Sequence, residues 1–224
     1  KNDHREVTMY KNIAKGAKQI FTAEILGIIA IVIVMASALG AVFGVVGTVE
    51  GTTQAAQTVA AGSILGGAIG AVVALVVSLI AVIFQFIGLN SCSKDDARFK
   101  KLIWFLVGSW VAALVAGFFP GGFLAAILNA LSVALTMVVS LMVVTFLNDI
   151  FLAIGNTEMA EKSQKLIKLF FVILVIAAIL SVLGQPGGFL GALAGFASGV
   201  NGILQIVFFV IYMTFLSKTS KVLA

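Results

Sequence analysis

Residues 101–147 read KLIWFLVGSWVAALVAGFFPGGFLAAILNALSVALTMVVSLMVVTFL, and this stretch decides the fold. After Lys101 it holds no charged residue, and its two apolar runs are divided by Pro120-Gly-Gly, a composition suited to a tight reversal. Each run is about as long as the roughly 20 residues that a helix needs to cross a ~30 Å hydrocarbon core. The stretch therefore predicts two transmembrane helices joined as a hairpin.

The same reading extends outward in both directions. Apolar runs predict six spans, near residues 20–47, 61–89, 102–118, 123–147, 166–184 and 189–216. The whole chain has 224 residues, of which 61% are hydrophobic and 10% charged, far from the roughly 25% charged usage of soluble domains. Its mean hydropathy is +1.19. The first run is much longer than a signal-peptide core of about 7–15 residues, so it is expected as a retained span.

The charges fix an orientation. The polar segments 1–18, 91–101, 149–168 and 217–224 contain all 14 Lys and Arg residues. Segments 48–60, 119–122 and 184–188 contain none. A bias this complete predicts six spans with both termini on the cytoplasmic side. The expected organisation is a basic tail at 1–18, one transmembrane domain at 19–217 with hairpins 19–90, 101–148 and 165–217, and a second tail at 218–224. A bacterial cytoplasmic membrane is the expected location. The inner connectors 94–101 and 162–168 are basic and suit anionic headgroups.

The hairpins read as copies. Pro120-Gly-Gly-Phe-Leu recurs as Pro186-Gly-Gly-Phe-Leu. Lys18-Gln-Ile, Lys101-Leu-Ile and Lys165-Leu-Ile open the odd spans, while Gln85-Phe-Ile, Thr145-Phe-Leu and Thr214-Phe-Leu close the even ones. Every copy begins and ends inside, which makes these parallel repeats around an axis near the membrane normal. Mitochondrial carriers use a scheme of three hairpins, but their charged signature after a Pro in each odd span is absent, since those spans contain no interior Pro.

Polar and small residues mark the faces that meet. In span two Ser63, Gly67, Gly70, Ala74, Ser78, Ala81 and Gln85 recur at spacings of three and four. Asn129, Ser132, Thr136 and Ser140 do so in span four, and Ser198, Asn201, Gln205 and Tyr212 are spaced by three, four and seven in span six. These stripes either line a cavity or pore, where hydroxyls and amides replace hydration, or bond the helices together. Glycines at Gly40 and Gly44, at Gly62, Gly66 and Gly70, and at Gly187, Gly191, Gly195 and Gly199 form GxxxG spacings for close helix packing or homo-oligomer contact.

Glu24 is the one clear intramembrane acid, six residues after Lys18. Two readings stand: a carboxylate at the cytoplasmic interface paired with a lysine, or an ion or proton site. Asn148 and Asp149 are expected to cap and turn the inner end of span four. Only His4 and Cys92 represent their types, so metal-ligand clusters, a disulfide and a histidine relay across the membrane are not expected. Phosphate loops, HExxH and nucleophile elbows are missing from the sequence. No enzyme, cofactor or nucleic-acid partner is expected. The function that follows is a transporter or channel-like protein for a small solute or ion along an axis lined by spans two, four and six. Alternatives are a membrane subunit or scaffold that assembles with itself or other subunits, and a substrate-binding membrane component of a multi-subunit transporter.

Overall fold

A computed structural model describes residues 10–49, 54–119, 123–183 and 206–224. Among them every regular element is a helix: α1 Lys11–Val49, α2 Gln54–Cys92, α3 Arg98–Gly117, α4 Phe123–Ala153, α5 Thr157–Leu183 and α6 206–222. Four segments are long and apolar enough to cross a membrane: Lys11–Ala38, Ala68–Cys92, Arg98–Gly117 and Ala130–Ala153. The expected fifth and sixth spans run into 184–205, outside the described residues.

Many small residues lie inside beside the buried Leu and Phe, and many large apolar side chains lie outside. Ala14, Ala17, Ala23, Ala30, Ala74, Ala81, Ala112 and Ala116 are buried, whereas Ile31, Met35, Val72, Leu75, Trp104 and Leu114 are each at least 60% exposed, apart from Val32 and Val34 beside them at 57% and 50%. In water such a surface would be a severe aggregation liability. In hydrocarbon it costs nothing, and small residues inside allow the close backbone approach on which helix association depends. This is the surface of an integral membrane protein.

The chain divides into two compact units, residues 1–18 with 89–224, and Gln19–Gly88. In the larger one, α3 presents Phe99, Leu102, Leu106, Ser109, Ala112 and Ala116 at spacings of three and four. From α4 it meets a buried face of Val139, Val143, Val144, Leu147, Ile150 and Phe151. Phe99 sits edge-on to Phe146 at 5.3 Å between ring centres, and a side chain added at Gly108 would touch Leu135 at 3.5 Å. Pairing 99 with 146 and 108 with 135 makes the two helices antiparallel. α6 joins them through Phe215, edge-on to Phe151 at 6.0 Å, and through Phe208, tilted against Phe170 of α5 at 5.4 Å.

Polar links fasten one set of helix ends. Arg98 bridges Asp96 at 2.8 Å and Asp149 at 2.6 Å while its guanidinium lies 4.8 Å over the Phe146 ring. Partial burial works to raise the Asp96 carboxyl, but hydrogen bonds from the Arg98 side chain and backbone outweigh it and hold the group below the usual carboxylate range. The single Ser163 hydroxyl proton is shared between Asn148 Oδ1 at 2.6 Å and Ala160 O at 2.7 Å.

The expectation that Asn148 and Asp149 turn the chain is overturned. α4 continues to Ala153, and the two side chains bridge to α5 and α3 instead. The reversal sits at Gly155 and Asn156. Gly155 takes φ +72°, Asn156 N bonds Phe151 O at 2.8 Å and Gly155 N bonds Leu152 O at 3.2 Å, the paired bonds of a Schellman stop. Asn156 Oδ1 then accepts from Met159 N at 3.0 Å and caps α5.

The smaller unit is built from the remainder of α1 and α2. A Cβ placed on Gly70 would lie 1.8 Å from Ser37 Oγ and 2.8 Å from Ser37 Cβ, so the two helices touch at their backbones. Rotating the hydroxyl cannot relieve the Cβ clash. Gly70→Ala is therefore expected to lower stability by about 1–3 kcal/mol, and Ser37→Gly in the same chain to restore most of it. Thermal unfolding of the purified variants checks both outcomes; an unchanged Gly70→Ala would refute the close contact.

Candidate intramembrane acid site

Helix α2 meets α1 along the small and polar face read from the sequence. Ala74, Ala81 and Gly88 are buried on it, and Gly70, Ser78 and Gln85 are half-buried. From α1 come Ile20, Ala23 and Ala30, all buried, with Glu24, Gly27 and Ser37 half-buried. The 3.6-residue period puts Ile20, Glu24 and Gly27 on neighbouring positions of one face.

On that face the structure joins two of the sequence candidates. Gln85 Nε2 donates to Glu24 Oε1 at 3.2 Å. Moving from this pair to the Ser37–Gly70 contact advances thirteen residues on α1 and retreats fifteen on α2, so the helices run antiparallel. Among the described residues Glu24 forms no ion pair; the ion pairs there are Arg98–Asp96, Arg98–Asp149 and Lys162–Glu158. A carboxyl group in an apolar span is costly when ionised unless donors or a cation surround it. One neutral amide supplies one donor and leaves lone pairs for a proton or a cation.

The other stripes are arranged differently. On α4, Ser132 and Ser140 are half-buried and Thr136 is exposed. Thr136 Oγ1 donates to Ser132 O at 3.0 Å and Ser140 Oγ to Thr136 O at 3.4 Å, bonds back to their own helix. The α3–α4 seam is the adjacent aliphatic face. On α6, Tyr212 is buried and stacks on Phe208 at 5.9 Å. Gly66 has open space around it. Ser63, Asn129, Gly40, Gly44 and Gly62 lie on helices, with their side-chain surroundings outside the description. Ser198, Asn201, Gln205, Gly187, Gly191, Gly195 and Gly199 lie outside the described residues.

Several structural polar residues escaped the sequence reading. Asp95 reaches the start of α1, accepting from Asn12 Nδ2 at 2.7 Å and from Ile13 N at 2.9 Å. No local rule announces a partner more than 80 residues away. Gly155-Asn156 was legible, since Gly followed by Asn before a helical stretch is a stop and start signal.

Truncating Glu24 and Gln85 singly and together should give a coupling energy of about 0.6 kcal/mol, reaching no more than about 1.7, the range of interhelical hydrogen bonds in membranes. A double-mutant cycle by reversible unfolding in detergent measures it, and strictly additive losses would remove the pair from the seam.

Compared with models of protein families, with curated proteins and with solved structures, the chain has no match in any of the three.

Proposed function

We propose that this chain is a six-span membrane protein, N-in and C-in, built of three parallel hairpins, that binds or passes a small solute or ion without covalent chemistry. The contact registers support the repeat. The Phe99–Phe146 and Phe170–Phe208 contacts are offset in sequence by 71 and 62 residues at their two ends, a mean shift of about 67, against the 66 that separate Pro120 and Pro186. The one-sided distribution of Lys and Arg supports the orientation. Exposed Lys94, Lys100, Lys101, Lys165, Lys168, Lys218 and Lys221 would meet anionic headgroups at the cytoplasmic face of a bacterial membrane.

The observation that carries the functional reading is the Glu24–Gln85 bond between two apolar helices. Glu24 supplies the intramembrane acid and Gln85 orients it; the solute class is a proton, a small monovalent cation or an amine. Asn129, Thr136 and Asn201 belong to the proposed pathway along spans two, four and six. In liposomes carrying the purified protein, Glu24→Gln should lower proton or cation flux at least 10-fold, and Asn129→Leu, Thr136→Leu and Asn201→Leu together should lower it further. Flux equal to that of empty liposomes, or unchanged by these substitutions, would refute the proposal.

A second reading rests on a different observation. Thr136 and Gly66 face open space on outer helix faces, which favours assembly with a second copy or with other membrane subunits, including those of a multi-subunit transporter. Native mass spectrometry of the detergent-extracted chain decides it: a bare monomer argues against assembly.

A further inference from the structure

Glu24 and Gln85 carry more polar groups than their bond uses. Gln85 Nε2 donates to Glu24 Oε1 at 3.2 Å, while the amide keeps a carbonyl oxygen and the carboxyl keeps Oε2. As a carboxylate, Glu24 has acceptors alone and nothing to give that carbonyl. As a carboxylic acid it gains an O–H, and each of the two groups then offers what the other lacks.

The surroundings favour a proton over any larger ligand. The next residues on the two faces, Ile20, Ala23 and Gly27 on α1 and Ala81 and Gly88 on α2, have no polar side chain, and the carbonyls of a helix interior are taken by its own N–H groups. The oxygens on offer are therefore those of Glu24 and Gln85. A metal ion sheds its water only where protein oxygens replace it, roughly six to eight of them around Ca²⁺ and rings of carbonyls around K⁺. An ammonium group would make a buried ion pair, which carries the desolvation cost of both charges. A proton needs a single lone pair and cancels the charge of the group it joins.

The carboxyl is also within reach from outside the seam. Glu24 is half-buried, and a Cβ built on Gly27, its neighbour on the same face, would meet nothing within 4 Å. A helical side chain covers the surface over the turn before it. With no side chain at Gly27, the flank of Glu24 is left open.

We propose that Glu24 is a proton-binding carboxyl, held by the Gln85 amide and entered past Gly27. The proposal rests on Glu24 being the solute site and narrows its ligand to the proton. Among the described residues of Gln19–Gly88, which form both helices at the site, Glu24 is the sole ionisable group. Along the same two helices the nearest others are Lys18, six residues before it, and Cys92, seven beyond Gln85.

Dicyclohexylcarbodiimide, an apolar reagent, tests the site in the full-length protein in liposomes. It takes the proton of a carboxylic acid onto its nitrogen and the acid oxygen onto its carbon, and mass spectrometry locates the adduct. Glu24 should be labelled, and Glu24→Gln should remove that label. Raising the pH from about 6 to about 9 should slow the labelling at least 10-fold, because the ionised group has no proton to give. Sodium, potassium or methylammonium ions at constant pH should leave the rate unchanged. Gly27→Leu, which places its side chain in open space, should slow it about 5-fold. Protection by any of these cations, a rate independent of pH, or undiminished labelling of Gly27→Leu would overturn the proposal. The expected labelling pattern in liposomes that conduct no protons would refute transport and leave the proton site standing.

Discussion

Hydrocarbon gives an aliphatic side chain no reason to turn inward, and that constraint governs the rest of this molecule. With isoleucine and valine equally content on the outside, the helices are held by what lipid cannot offer: close backbone contact, aromatic edges and polar groups that need a partner. The Ser37–Gly70 approach, the Phe99–Phe146 edge and the Gln85–Glu24 bond are one instance of each. Every unpaired polar group in this solvent is expensive, so the positions of polar residues set the register of the helices.

The constraint explains why the helical spans were legible and their ends were not. Apolar runs mark the part of a helix that lipid requires, and the runs at 20–47, 61–89, 102–118 and 123–147 all fall on helices. They do not mark where a helix stops. Near the start of α1, Ile13 N bonds the distant Asp95, and α4 passes through Asn148 and Asp149, which pair with Ser163 and Arg98. Polar bonds at the helix ends act where the apolar pattern is silent, and two of the three here join residues far apart in sequence. Only the Gly155-Asn156 turn carried its own signature.

The polar stripes show the same division. Gly70, Ala74, Ser78, Ala81 and Gln85, spaced by three and four, share one face of α2, and Gly70 and Gln85 on it touch α1. It could not say whether a stripe faces a neighbour or returns its hydroxyls to its own backbone. Ser132, Thr136 and Ser140 have the same periodicity, yet Thr136 and Ser140 bond to carbonyls four residues back. Hydroxyls have this option because their short side chain reaches the preceding turn; the longer Gln85 amide and the Glu24 carboxylate reach across helices instead.

That difference in reach singles out the first hairpin. Under the proposed repeat, Gln85 corresponds to Thr145 and Thr214, and both threonines donate to carbonyls of their own helices, Leu141 O at 2.9 Å and Val210 O at 2.8 Å. The positions matching Glu24, counted from the lysines that open each odd span, are Val107 and Phe171. Two hairpins are thus closed with respect to polar groups at this level, and one holds an acid and an amide that can satisfy each other only in part. A packing requirement shared by three copies would place similar groups in all three. Within the proposed repeat the acid and the amide belong to the first copy alone, and the proposed solute site rests on that asymmetry.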